Sequence, residues 1–146
     1  MKKIIVLRIR GRVGVRREVE DTLYMLRLRK KMVAVILDDS KETMGMIQKI
    51  KDYVAFDELN EETLKLLILK RAKLPGNKSP GYDEKKAEEI AKKILENKSK
   101  ISELEIKPFF ALHPPRGGFK KSIKVPYPKG ILGKNKNLNE LIKLML

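Results

Sequence analysis

Apolar positions along this chain fall into short runs and helical stripes separated by charged punctuation. Ile4–Ile9 is apolar and rich in β-branched residues between Lys3 and Arg10, as expected of a strand buried on both sides or central in its sheet. Over Glu18–Leu28 the period changes. Val19, Leu23 and Leu26 stand at i, i+4 and i+7 and make one apolar helix face. Met32–Leu37 is strand-like again, and Asp38-Asp39-Ser40 ends it and offers an N-cap. A helix to about Tyr53 follows, with Met46, Ile47, Ile50 and Tyr53 or Val54 inward. Gly45 costs that helix about 1 kcal/mol relative to alanine, which calls for a closely approaching backbone or a frayed helix start. Val54–Glu58 is a third strand. This strand-helix-strand-helix-strand order reads as a small two-layer sandwich, and its helical connections suggest parallel pairing.

Past Asn60, a candidate cap, the period stays helical. Leu64, Leu66, Leu67, Ile68 and Leu69 make the next helix apolar nearly all round, so it needs burial on the sheet or on a partner. Pro75–Gly81 reads as a loop. Asp83 caps a helix to about Asn97 with Ala87, Ile90, Ala91, Ile94 and Leu95 on one stripe, and Ser99–Leu104 fits a further helical turn. In Ile106–Lys121 an aromatic strand meets Pro114-Pro115 and then Gly117-Gly118. Phe109 and Phe110 are adjacent and face opposite sides of that strand, so they cannot together form a base-stacking platform. The Pro, Gly and Lys content of Ser122–Lys136 suits an extended segment with little secondary structure. Asn137 or Asn139 then caps a last helix to Leu146, whose apolar face is Leu138, Leu141, Ile142 and Met145.

The 146 residues suit one domain. Their formal net charge of +15 directs attention to polyanions, with nucleic acid first and an anionic membrane second. Residues 1–60 carry net +5, residues 61–106 net +2 and residues 107–146 net +8, so a nearly neutral helical insertion separates two basic parts. The absence of cysteine excludes disulfides and thiolate zinc sites. The first apolar run stops at Arg8, too short for a signal peptide, and no stretch approaches the length of a membrane span. There is no phosphate-binding glycine motif of the P-loop or dinucleotide type. His113 has no neighbouring carboxylate to orient it for catalysis, and Asp38-Asp39 reads as a strand end rather than a metal site. No cofactor or metal is expected.

The basic loops carry the chemistry. Arg8, Arg10, Arg12, Arg16 and Arg17 cluster around Gly11 and Gly14, where guanidinium forks match phosphate geometry and glycine permits close backbone approach. Arg27, Arg29, Lys30 and Lys31 collect at a helix end, either complementing its dipole or contacting RNA.

The blocks Thr22-Leu-Tyr-Met-Leu-Arg-Leu-Arg-Lys-Lys-Met-Val-Ala-Val and Met44-Gly-Met-Ile-Gln-Lys-Ile-Lys-Asp-Tyr-Val, at their spacing, resemble the large-subunit ribosomal protein L-thirty family. Its short bacterial form would match residues 1–59 alone. The added helices and Lys107-Pro-Phe-Phe-Ala-Leu-His-Pro-Pro-Arg-Gly-Gly-Phe resemble the longer archaeal and eukaryotic form. The resemblance implies an α+β, ferredoxin-like β-α-β-α-β core with a three-stranded antiparallel sheet, the first strand central and two helices on one face. Residues 1–59 would form that core, 60–106 a helical insertion and 107–146 a basic extension packing back on it, all in a single domain.

In function the resemblance implies a cytoplasmic structural component of the large ribosomal subunit, bound to its rRNA, with other ribosomal proteins as further partners, and neither an enzyme nor a membrane protein. The expected contacts are Arg8, Arg10, Gly11, Arg12, Arg16, Arg17, Arg29, Lys30, Lys31, Met44, Gly45, Lys49, His113, Arg116, Gly117, Gly118, Lys120, Lys121 and Lys124. The alternative is a free-standing RNA-binding protein or regulator on the same core. A small-molecule regulatory domain has no pocket signature in its favour.

Overall fold

Strand β1 (Lys3–Arg8) is the centre of the molecule, antiparallel to β2 (Val33–Asp38) on one side and to β3 (Val54–Glu58) on the other. The computed structural model describes residues 3–11, 14–71, 83–96, 109–118, 122–126, 130–136 and 138–145. Helix α1 (Arg17–Met25) joins β1 to β2, and α2 (Lys41–Ile50) joins β2 to β3. β2 and β3 therefore run in the same direction, as their strand-helix-strand connection predicts, but β1 is inserted between them. This is a split β-α-β unit, and it replaces the parallel neighbours suggested by element order. The α1 connection returns to the end of the sheet that it left: the Met32 N–H donates to the Arg8 carbonyl at 2.8 Å. The core is α+β and ferredoxin-like, with the first strand central.

Residue alternation along the strands builds two cores. Ile4, Val6, Val33, Val35, Val54 and Phe56 meet Leu23, Leu26, Ile47 and Ile50 of α1 and α2. Ile5, Leu7, Ala34 and Ala55 face the other way, toward α3 (Glu61–Arg71), α4 (Glu84–Leu95) and α5 (Leu138–Met145). Helices thus cover both faces of the sheet, not one as expected. The nearly all-round apolar helix explains this: α3 buries Leu64, Leu67 and Ile68 among the sheet, α4 and α5, leaving Leu66 and Leu69 half-buried.

The sheet also exceeds the expected three strands. β4 (Phe109–Ala111) pairs antiparallel with β2, placing Phe110 in one core and Phe109 against the other. β6 (Gly130–Lys134) adds parallel to β3, and β5 (Ser122–Pro126) flanks it, giving the order β4-β2-β1-β3-β6-β5. The extended Pro-Gly-Lys segment therefore holds strands at the sheet edge, where proline is tolerated.

Local signals place the helix starts. The Ser40 hydroxyl accepts from the Thr43 N–H at 3.2 Å and the Asp83 carboxylate from the Lys86 N–H at 2.8 Å. Asn139, expected as a candidate cap, lies inside α5. Its side chain donates to the Glu58 carbonyl at 2.9 Å and accepts from the Asn60 N–H at 3.3 Å, fastening α5 where β3 meets α3. Asn137, the Pro75–Gly81 loop and the Ser99–Leu104 turn lie outside the described residues.

Candidate nucleic-acid interface

Four connections meet where β1 and β4 end and β2 and β3 begin. Backbone hydrogen bonds stitch them together. The Ile9 and Arg10 N–H groups donate to the Tyr53 carbonyl at 3.0 and 3.2 Å, and the Leu112 N–H donates to the Met32 carbonyl at 2.9 Å. The segment 113–118 leans on the end of α5, with His113 and Arg116 N–H groups donating to the Met145 and Leu144 carbonyls at 3.1 and 3.2 Å. Sequence-distant cationic loops are thereby held at one end of the sheet.

Arg8 is corrected by the structure. It is 1% exposed on the α1/α2 side of β1, and its guanidinium donates from Nη1 to the Leu28 carbonyl at 2.6 Å and from Nε to the Arg10 carbonyl at 3.0 Å. An arginine committed to interior carbonyls is removed from a surface contact. It fixes the loops on either side of α1 instead. Strand alternation decides this: two residues beyond Val6, the side chain must enter the same core.

Arg29, Lys30 and Lys31 are exposed and lie beyond the last turn of α1, which contains no basic residue, so complementing the helix dipole does not account for them. The helix ends in a Schellman motif. The Leu28 N–H donates to the Leu23 carbonyl at 2.8 Å and the Arg27 N–H to the Tyr24 carbonyl at 3.0 Å, with Leu23 and Leu28 both fully buried. Arg27 occupies the left-handed position at φ 65°, where glycine is usual. Sequence pattern gives no signal for this site, because the motif normally announces itself by that glycine.

Arg10 lies over the Tyr53 ring at 5.3 Å from its centroid, and Arg29 over Tyr24 at 4.1 Å. Neither tyrosine stood out in sequence, since the pairings follow no helix or strand period. Arg16, Arg17, Arg27, Lys30, Lys31 and Arg116 are exposed and form no ion pair with any described residue.

The glycines divide by cause. A Cβ on Gly11 would lie 2.6 Å from Cε of Lys31, the movable end of a side chain crossing it. Gly117 and Gly118 adopt φ of 78° and 76° with nothing near either Cβ position, so consecutive left-handed backbone requires them. The Gly118 N–H closes the turn on the Pro115 carbonyl at 3.0 Å.

Met44 and Gly45 are not brought to this end. Met44 lines a hollow near the opposite end with Ile4, Asp39, Phe56, Asp57, Glu58 and Lys134. Gly45 is exposed with no described backbone against it, which removes the explanation of close packing within the chain. Lys49 is exposed in the last turn of α2. Arg12, Lys120 and Lys121 lie outside the described residues, and Lys124 is placed only as part of β5.

Comparison with known proteins agrees with this fold. The model for ribosomal protein L30p/L7e matches residues 4–54. The large ribosomal subunit protein uL30 of Staphylothermus marinus is 45% identical, with 97% of this chain and 96% of the relative covered. Its counterparts in Archaeoglobus fulgidus and Methanococcus maripaludis are 43% and 41% identical, covering 96% and 97% of this chain and 97% of each relative. The match thus extends far beyond the split β-α-β core, through the helices on its second face to the C-terminal strands, and the chain belongs to the ribosomal protein L30p/L7e family.

Proposed function

We propose that this protein is a structural, non-catalytic constituent of the large ribosomal subunit, working in the cytoplasm as part of the ribosome. It would bind large-subunit rRNA through the loop end of its sheet and contact neighbouring ribosomal proteins. The observation carrying this reading is the set of exposed cations without ion pairs, Arg16, Arg17, Arg27, Lys30, Lys31 and Arg116, on or beside loops fixed by the fold. Cations with no internal partner are what a phosphate backbone neutralises. Arg10, Gly11, Arg12, Arg29, Lys49, His113, Gly117, Gly118, Lys120, Lys121 and Lys124 complete the proposed surface. In this scheme phosphate contacts fix position and orientation.

Large subunits sedimented through a high-salt wash test the assignment. The protein should remain with the subunit in stoichiometric amount. Release at modest salt would instead favour a free-standing RNA-binding regulator on the same core.

A further inference from the structure

Phosphate attraction does not account for Tyr24. The residue is 59% exposed on α1, and the Arg29 guanidinium lies over its ring at 4.1 Å from the centroid. Arg8, Glu20 and Leu28 line the same notch. A carboxylate there opposes phosphate but accepts hydrogen bonds from the amino groups of a base. Tyrosine rings and guanidinium planes are both surfaces on which bases stack. The neighbouring Arg27, Lys30 and Lys31 have no ring contact and supply the attraction for the backbone on either side.

We infer that Tyr24 and Arg29 hold one unpaired base, the base of a bulged or looped-out nucleotide, with Glu20 accepting from its edge. Inside a continuous duplex each base face is covered by its neighbours, so only an unpaired base has a face to offer. This inference rests on the RNA-binding reading above and adds a preference among RNAs.

The test titrates the full-length protein against two RNAs. One is a continuous duplex, and the other is the same duplex carrying a single bulged 2-aminopurine, whose emission falls on stacking. The bulged RNA should bind roughly 5- to 150-fold more tightly, the range expected for one base stacked on an aromatic side chain, and its emission should be quenched. Tyr24→Leu should abolish the preference and the quench. Duplex affinity, its salt dependence and the thermal midpoint should not change, because the ring is exposed. Arg29→Lys keeps the charge, loses the plane and should reduce the preference. Equal binding of the two RNAs, or a preference and quench that survive Tyr24→Leu, overturns the inference alone. Failure of the unaltered protein to bind either RNA with salt-dependent affinity overturns the RNA-binding reading and this inference with it.

Discussion

At one end of the sheet Lys3 pairs with Asp38 across β1 and β2, Asn139 ties α5 to the Glu58 carbonyl, and Lys143 meets Glu62 at 3.1 Å. At the other end Arg16, Arg17, Arg27, Lys30, Lys31 and Arg116 are left without carboxylate partners around two left-handed glycines. The first end uses charge and amides to close the fold. The second accumulates like charge, which destabilises an isolated chain until a polyanion neutralises it. Arg8 separates the two behaviours, because it is the arginine of the basic loop region that the fold keeps for itself.

Arg8→Met should give the largest effect. It preserves bulk but leaves the Leu28 and Arg10 carbonyls without their guanidinium donor. We expect a loss of about 2 kcal/mol, the scale of an unsatisfied buried acceptor, read as a lower urea midpoint. RNA affinity should fall too as the loops loosen, with little change in salt slope. An unchanged midpoint would return Arg8 to the surface cations and erase the contrast.

Arg16→Ala with Arg17→Ala should act in the opposite sense. Stability should barely move, because both side chains are exposed and without ion pairs. The slope of log K against log salt should become shallower by up to about two units, given about 0.9 per phosphate on a duplex. A full slope in the double variant would place the phosphates elsewhere.

Gly118→Val keeps charge and strains a residue at φ 76°, costing roughly 1–2 kcal/mol. Affinity should drop at nearly constant salt slope. Intact affinity would mean that the turn is dispensable for binding.

Lys3→Ala at the opposite end should cost less than about 1 kcal/mol, as for other partly exposed ion pairs. RNA titration should match the unaltered protein. A marked loss of affinity would show that both ends of the sheet face RNA.

Legibility followed the range of the interaction responsible. Val54–Glu58 appears as a strand with the expected bounds, and Ser40 and Asp83 cap as expected, because a cap is decided within three residues of chain. The edge strands Ser122–Pro126 and Gly130–Lys134 were hidden. Their proline, glycine and lysine content disfavours a strand locally, and pairing with β3 is a long-range event. Of the proposed contacts, Arg10, Gly11, Arg29, Lys30, Lys31 and the segment 113–118 converge on the loop end. Arg8 turns inward and Met44 and Gly45 lie elsewhere.

The sequence by itself determined the alternation of periods, the core residues of each element, the helix starts and the excess of positive charge. All of these follow from side-chain chemistry and spacing along one segment. Only the tertiary structure decided that β1 splits β2 from β3, that α3, α4 and α5 cover the second face, and which arginine serves the interior. Pairing order and burial depend on which distant segments meet. A guanidinium on a strand looks the same in sequence whether solvent or the Leu28 carbonyl stands opposite it.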